Sequence, residues 1–289
     1  GAGRSAVTRP VPLVRDPQRA LDFLRNPELE GDGKRPSAKL LEELAEADRR
    51  FKSANSLAEK VAACSWYHTI ELPGGIVTPG SHDHRAVVER IGLPEDLSGR
   101  RCLDVATFDG FWAFEMEKRG GTVVAVDLPS AGGLDLPAPA KQVLLNEGLD
   151  VPFGRGFAVA AEALGSCVEH RGISVYDLAG ADLGQFDLVH SADVLLHLAA
   201  PWLALAAIHA VTGDHAIIVD RFDPSADGLT LQYRGGWRGL EWWAPSLATL
   251  VQWVVDAGFT QVEVVDTYAL GNSFSEGVRW HRAVIHARA

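Results

Sequence analysis

The sequence is short of several residues and patterns that mark particular protein classes. Only three cysteines occur in the 289 residues, Cys64, Cys102 and Cys167, and their scattered spacing fits neither a zinc site nor a disulfide framework. A reducing, cytoplasmic setting is therefore expected. No run of about 18 apolar residues is present, so no membrane-spanning helix is predicted. The first residues lack the apolar core of a signal peptide.

Positive charge is also scarce. Lys and Arg number 27 against 38 Asp and Glu, which gives a net charge of −11 at pH 7. Proteins that bind phosphate backbones usually carry a basic face, so this balance disfavours nucleic acid as a partner, although it does not exclude a local basic patch. The best candidate for such a patch is the Arg- and Lys-containing stretch at residues 1–36, which is more typical of a solvated terminus.

The sequence does contain an alternation of strands and helices. Apolar strands are predicted at residues 101–106, 122–127, 173–176, 186–191 and 215–220. Helices are predicted at residues 110–119, 138–147, 157–170 and 201–211. Such alternation predicts an α/β fold with a parallel sheet and helices on both of its faces. A helix at 245–257 then precedes two consecutive strands at 261–266 and 279–286, which predicts an antiparallel hairpin at the sheet end and seven strands in all.

Residues 1–95 do not follow this pattern. A helix is predicted over residues 37–64, with a bend near residues 53–56. The aromatic, Pro- and Gly-rich stretch at residues 66–84 is typical of an ordered lid. We therefore predict an N-terminal helical and lid segment over residues 1–95 and a Rossmann-like domain over residues 96–289.

The strongest motif is a predicted strand, tight turn and helix start at residues 103–110, LDVATFDG. Unpaired N–H groups at a helix N-terminus attract a carboxylate, such as the amino-acid tail of S-adenosylmethionine. Asp127 ends the next predicted strand, where an acidic residue accepts hydrogen bonds from a ribose diol in nucleotide binders. This arrangement predicts a cofactor site at the carboxyl ends of the strands.

The glycine pattern of this turn is irregular. Ala106 and Phe108 stand where glycines usually allow the backbone to approach a ligand, and only Gly110 remains. Phe108 must therefore point away or form a pocket wall. The alternative is a nucleotide-binding or vestigial Rossmann domain. The residues predicted to contact the cofactor are Asp104, Ala106, Thr107, Phe108, Gly110, Phe111, Asp127, Tyr176, Asp177, Ser191 and Asp193.

These segments resemble the class I methyltransferases of the bacterial tRNA wobble-uridine (5-carboxymethoxyuridine) methyltransferase-like family, over about residues 66–289. The likeness is carried by RRCLDV (100–105), DGF (109–111), FDLVHSADVLLH (186–197), WAPS (243–246), AGF (257–259) and RAV (282–284). The resemblance implies a Rossmann-like sheet ending in a hairpin, with cofactor contacts at Gly110, Asp127, Tyr176, Asp177 and Asp193. It also implies that Arg282 lies in the pocket.

Two departures from that family bear on substrate and cofactor. Leu196-His197-Leu198 replaces the family's Tyr-His-Arg, and residues 78–85 replace its Trp- and Lys-rich segment. Because Arg or Lys best pairs the extra carboxylate of that family's cofactor, the departures predict ordinary S-adenosylmethionine and a different acceptor.

His197, after the fourth core strand, is the predicted general base, since histidine exchanges protons near neutral pH. The alternative is a histidine at a helix start that bonds only to backbone. His82-Asp83-His84 has the spacing of a metal pair, but with no third ligand nearby a packing role in the lid is favoured and no metal is predicted. The residues predicted to bind substrate are His68, His82, Tyr233, Trp237 and Arg282.

Three functions are compatible with these residues. The first is an S-adenosylmethionine-dependent methyltransferase acting on oxygen or nitrogen of a small molecule, such as a natural product or sugar. The second is a tRNA wobble-uridine modification enzyme. The third is a non-catalytic module that binds S-adenosylmethionine. The acidic composition and the aromatic pocket candidates favour the first, and the oligomeric state is left open.

Overall fold

A computed structural model describes residues 46, 48–146, 150–236, 240–273 and 278–289. The central sheet contains β3 (Arg101–Val105), β4 (Thr122–Asp127), β5 (Glu169–Gly172), β6 (Phe186–Ala192), β7 (Thr212–Arg221), β10 (Thr260–Gly271) and β11 (Arg279–Arg288). Short pairs are formed by β1 (Glu71–Leu72) with β2 (Ile76–Val77), and by β8 (Leu231–Tyr233) with β9 (Trp243–Pro245). The helices are α1 (Leu57–Ala62), α2 (Phe111–Lys118), α3 (Ala138–Asn146), α4 (Arg155–Leu164), α5 (Pro201–Val211) and α6 (Leu247–Asp256).

The seven strands lie in the order β10-β11-β7-β6-β3-β4-β5. The pairs among strands β3 to β7 are all parallel, while β11 is antiparallel to both β7 and β10. The predicted α/β fold with a terminal hairpin is therefore confirmed. The strand order reverses between β3 and β6, and open sheets of this kind bind ligands at the carboxyl ends of the strands on either side of such a reversal.

The two faces of the sheet carry separate hydrophobic clusters. Leu103 and Val105 of β3 pack with the cluster that includes α5 and α6. Cys102 of the same strand packs on the opposite face with α2, α4 and the lid. This alternation follows from the two-residue period of a strand. Trp66 of the lid lies in the second cluster and donates from Nε1 to the Val61 carbonyl at 2.9 Å, so the lid is anchored on the sheet.

One core strand was predicted at the wrong place. The helix predicted to run to residue 170 ends at Leu164, because Gly165 takes a left-handed φ of 63° and caps it. The strand that follows is Glu169–Gly172, and residues Val175–Gly180 form a 3-10 helix. The polar sequence of this edge strand carries no apolar signal. Tyr176 and Asp177 therefore follow the strand instead of ending it.

The N-terminal helix breaks where a bend was predicted. Residues 48–53 are helical, and α1 begins after Ser56 with a reciprocal cap between Ser56 and Glu59. The part of the predicted helix before residue 46 lies outside the described residues. Among the described helices, none has the length and apolar character needed to cross a membrane. The division at residue 95 stays a prediction.

Candidate active site

A deep cleft opens at the carboxyl ends of β3, β4 and β6. It encloses about 1150 Å³ of space, including its open mouth. The lid contributes one wall through Tyr67, His68 and His84, and the insertion after β7 contributes Leu240 to the opposite wall. The cleft therefore lies at the strand-order reversal, where the sequence predicted the cofactor site.

The turn between β3 and α2 forms part of the cleft wall despite its missing glycines. Ala106 and Phe108 adopt left-handed backbone conformations, with φ of 60° and 50°, and both line the cleft. Such conformations cost a non-glycine residue about 1–3 kcal/mol and persist only where surrounding bonds hold them. Here Phe108 N–H donates to Asp127 Oδ2 at 2.7 Å, and Thr107 N–H donates to the Val126 carbonyl at 3.1 Å. Phe108 thus forms a pocket wall.

The packing of neighbouring side chains requires glycine at position 110, which the sequence did not reveal. Its φ is 94°, and a Cβ at this position would lie 2.5 Å from the Phe114 ring and 2.7 Å from the Phe157 ring. The glycine therefore lets helices α2 and α4 pack closely. It is not among the residues that line the cleft.

Asp127 lies at the end of β4, on the cleft wall. Its Oδ1 accepts from Leu128 N–H at 2.6 Å, and its Oδ2 accepts from Phe108 N–H. Burial raises the pKa of Asp127 to about 6, although the two N–H donors oppose the shift. Two backbone N–H donors therefore fix the Asp127 carboxyl group on the cleft wall.

Tyr176 lines the other end of the cleft and bonds to a residue that the sequence did not single out. Its hydroxyl donates to Asp135 Oδ2 at 2.7 Å, and the same oxygen accepts from Ala199 N–H at 2.7 Å. Burial and the Asp135 carboxylate raise the pKa of Tyr176. Asp177 lines a shallower depression that adjoins this end and also contains Tyr176. Asp135 lies in an irregular loop, so no motif pointed to it.

His197 lines the cleft and ends a short 3-10 helix, Leu195–His197. Its Nδ1 lies 2.9 Å from the Leu240 carbonyl. Because a carbonyl only accepts, Nδ1 carries a hydrogen, and in the neutral imidazole Nε2 then carries the lone pair. The imidazole therefore bonds to backbone and also lines the cleft, and its role as general base stays a prediction.

The insertion after β7 folds over the cleft. Trp242 donates from Nε1 to the Asp135 carbonyl at 2.6 Å, and Trp243 donates from Nε1 to the Ala199 carbonyl at 3.1 Å. Tyr233 is 61% exposed and is not among the residues that line the cleft. Trp237 lies outside the described residues. Trp253 is buried in α6 and packs in the core.

The lid is fastened to the turn by Asp109. Asp109 Oδ2 accepts from the N–H groups of Tyr67 and His68 at 2.7 and 2.9 Å, and its Oδ1 pairs with His68 Nδ1. The His68 ring stacks on Phe111, with ring centroids 5.5 Å apart. His82 is buried behind Tyr67, with ring centroids 4.4 Å apart, and is not a lining residue. His68 thus lies at the cleft, while Phe111 and His82 lie behind it.

A buried ion pair supports the cleft from the hairpin strand β11. Arg282 has no exposed surface, and its Nε donates to Asp193 Oδ1 at 2.8 Å. Asp193 lines the cleft and also accepts from the Tyr67 hydroxyl at 2.9 Å. Burial by itself would raise the pKa of Asp193, but the Arg282 and Arg221 guanidiniums hold it far below its ordinary value. Arg282 therefore lies behind a cleft residue and does not line the cleft itself.

Asp220 positions the loop that carries Asp193. Its Oδ2 accepts from Val194 N–H at 3.0 Å and from Leu195 N–H at 2.7 Å, and burial raises its pKa to about 7. Sequence analysis gave no reason to single out Asp220, because the loop that it holds precedes it by some 25 residues.

The cleft floor contains buried polar groups that the sequence only partly identified. His190 of β6 and Asp104 of β3 lie side by side, with His190 Nδ1 2.8 Å from Asp104 Oδ1. Among the described residues, Asp104 Oδ2 and His190 Nε2 on the cleft floor have no hydrogen-bond partner, and neither have Thr107 Oγ1 and Ser191 Oγ behind it. Buried polar atoms are nearly always satisfied in folded proteins, so this floor fits a polar ligand group.

No protein-family model matches the chain. Magnesium-protoporphyrin O-methyltransferase of Rhodobacter capsulatus is 30% identical over 127 residues, which are 44% of this chain and 46% of that protein. The N-terminal domain of EvdMO1, solved in the presence of SAH and D-fucose, superposes with a TM-score of 0.55 at 21% identity, over 85% of this chain and 96% of that chain. EvdMO1 itself superposes with a TM-score of 0.51 at 21% identity, over 85% of this chain and 47% of that chain.

The chain has the class I methyltransferase fold. Its sheet order, with an antiparallel strand β11 inserted beside β7, is the feature on which this assignment depends. The chain spans about half of the curated relative that it matches, since the match covers 46% of that protein's length.

In this methyltransferase fold, the predicted cofactor residues fall into three groups. Asp104, Ala106, Phe108, Asp127, Tyr176 and Asp193 line the cleft. Thr107, Gly110, Phe111 and Ser191 lie behind its surface, and Asp177 lies in the adjoining depression. The comparisons support the predicted enzyme class and cofactor. The resemblance to the tRNA wobble-uridine family and the cytoplasmic setting stay predictions.

Proposed function

We propose that this protein is an S-adenosylmethionine-dependent methyltransferase that methylates an oxygen or nitrogen of a small molecule, such as a natural product or a sugar. The observation that carries the proposal is the cleft itself: in a methyltransferase fold, Asp127 and the turn at residues 106–108 meet at the strand-order reversal. The small-molecule substrates named for magnesium-protoporphyrin O-methyltransferase and the D-fucose present with EvdMO1 agree with this class of acceptor.

The residues present fit the cofactor. Asp127 would accept from the ribose hydroxyls, and Tyr176 with Asp177 would contact the adenine end. When bound, S-adenosylmethionine supplies a methyl group already activated on a sulfonium. The chain's own contribution is to position and desolvate the acceptor and to take up its proton, the role that we give to His197.

The charge of the cleft favours ordinary S-adenosylmethionine over the carboxylated form. Asp104, Asp127, Asp135 and Asp193 line the cleft, and none of its described lining residues is Lys or Arg. A sulfonium and an ammonium are attracted to such a site, whereas an additional carboxylate would lack a cationic partner. The same acidic character disfavours tRNA as the acceptor.

The proposal is tested by methyl transfer from S-adenosylmethionine labelled with tritium in the methyl group. Glycosides, polyphenols and tRNA are offered in parallel to the purified protein. We expect label in a small molecule and none in tRNA. Label in tRNA alone would show that the acceptor class is wrong, and absence of S-adenosylmethionine binding would remove the enzyme proposal as a whole.

Asp127→Ala is expected to weaken binding of S-adenosylhomocysteine by about tenfold or more, since a hydrogen bond to a charged group contributes about 1.5–3 kcal/mol. Isothermal titration calorimetry at pH 7.5 measures the change. Asp256→Ala, at the exposed end of α6, is the matched control and should leave the affinity unchanged. An unaltered affinity in Asp127→Ala would show that the ribose lies elsewhere.

The same carboxyl group predicts a pH dependence. Burial raises the pKa of Asp127 to about 6, so the ionised form that accepts best from hydroxyls is lost as the pH falls through this value. Affinity for S-adenosylhomocysteine should be constant above about pH 7 and decline toward pH 5. Titrations of Asp127→Ala over this range should give a flatter profile, and an equally steep profile would assign the dependence to another group.

A further inference from the structure

We infer that the amino-acid tail of the cofactor is held by four side chains on the cleft floor, His84, Asp104, Trp112 and His190, with Trp112 binding its carboxylate. This inference rests on the proposed function and adds to it the residues that recognise an α-amino acid. His84, Trp112 and His190 come from the lid, from α2 and from β6, and no sequence motif joins them.

The first observation is a set of unsatisfied polar atoms in one place. His84 Nδ1, Asp104 Oδ2, Trp112 Nε1 and His190 Nε2 are buried and have no hydrogen-bond partner in the part of the chain that the structure describes. All four residues line the cleft, and their exposure is between 0% and 3%. Because even isolated exceptions of this kind are rare in folded proteins, four of them on residues that line one cleft indicate a ligand with several polar groups.

The second observation is whether each of these atoms can donate or accept a hydrogen bond. Asp104 Oδ1 accepts from His190 Nδ1, 2.8 Å away. The other carboxylate oxygen, Asp104 Oδ2, is also an acceptor, which suits an ammonium. Trp112 Nε1 is only a donor, which suits a carboxylate.

The third observation is how closely these groups are placed. The Trp112 ring centroid lies 5.0 Å from that of His190 and 5.7 Å from that of His84. Donor and acceptor groups therefore lie side by side on the floor, and an α-amino acid carries its ammonium and carboxylate on adjacent atoms.

The backbone of the β3–α2 turn has little left to offer the tail. The N–H groups of Thr107, Phe108 and Gly110 already donate to Val126, Asp127 and Thr107. The Asp109 carboxylate is occupied by the lid. Glycines in such a turn usually indicate that the turn backbone binds the amino-acid tail. In this chain we assign that binding to side chains below the turn.

The test compares two ligands that differ only in the tail. S-adenosylhomocysteine carries the whole amino acid, whereas 5′-methylthioadenosine keeps the adenosine and the thioether without it. In Trp112→Phe, which removes only the indole N–H and part of the ring, S-adenosylhomocysteine should bind about tenfold more weakly. Binding of 5′-methylthioadenosine should stay within about twofold of the unmodified protein. Trp202→Phe, on exposed surface of α5, is the matched control for both ligands.

Asp104→Asn supplies a second, independent measurement. It should weaken S-adenosylhomocysteine by about tenfold and leave the analogue that lacks only the α-amino group unchanged. The inference would be overturned if, in both variants, S-adenosylhomocysteine and the truncated ligand lost affinity equally or neither lost any. The unsatisfied atoms would then be assigned to bound water. Failure of the unmodified protein to bind S-adenosylhomocysteine and 5′-methylthioadenosine alike would instead contradict the proposed function.

Discussion

Arg282→Met is expected to lower the free energy of unfolding by about 3–5 kcal/mol, the usual cost of leaving a buried charge without its partner. Arg282 is fully buried and donates to both carboxylate oxygens of Asp193, at 2.8 and 2.9 Å. Methionine fills similar volume, so the loss reports mainly the uncompensated carboxylate. The Arg221 Nε, 3.9 Å from Asp193 Oδ1, remains and limits the effect. Urea denaturation at pH 7 measures it.

Two further variants separate charge from packing. Arg282→Met combined with Asp193→Asn removes both charges and should cost less than the sum of the two single changes. Arg279→Met, on the exposed start of the same strand, should change stability by no more than about 0.5 kcal/mol. A loss below about 1 kcal/mol in Arg282→Met would mean that the pair is not buried as described, since surface pairs contribute about that little.

The sign of the pH dependence follows from the lowered pKa of Asp193. Its contribution to stability is present above the ordinary pKa of an aspartate and is lost as the pH falls toward the folded-state value. Without Arg282, only the more distant Arg221 guanidinium opposes the effect of burial, so the pKa of Asp193 is higher and the variant carboxyl is protonated at a higher pH. The stability difference between Arg282→Met and the unmodified protein should therefore begin to shrink as the pH falls through the higher pKa of the variant carboxyl and go on shrinking at lower pH.

His197→Gln is expected to reduce kcat by about 100-fold or more, the usual contribution of a positioned general base. The Leu240 carbonyl fixes the tautomer in which Nε2 carries the lone pair, so the imidazole is set to accept a proton. Affinity for S-adenosylhomocysteine should change little, since the loss concerns proton transfer. Initial rates of methyl transfer to the first acceptor found by labelling measure the effect.

A control variant and a comparison of ionised with neutral acceptors identify the role of His197. His281→Gln, on the exposed side of β11, should leave kcat unchanged. An acceptor whose hydroxyl is already ionised at the assay pH needs no base, so His197→Gln should lose much less activity with it. An equal loss with ionised and neutral acceptors would show that His197 positions substrate or loop and does not take the proton.

The strand and helix pattern was predictable over most of the sheet. Apolar runs at 101–106, 122–127 and 186–191 gave their strands because each is buried on both faces and must be hydrophobic. The position of β5 was not predicted because Glu169–Gly172 lies at the sheet edge, where burial does not select an apolar sequence. Asp127 was located because its strand and the following loop are local features.

By itself the sequence determined the class of fold, the place of the cleft and the residue at the end of β4, since these follow from patterns that repeat along a few residues. Tertiary structure alone decided which side chains meet in the cleft. Arg282 reaches Asp193 across 89 residues, and His84 lies beside Trp112 only because the lid packs on α2. Contacts between distant segments depend on how the layers pack, and local periodicity carries no record of that packing.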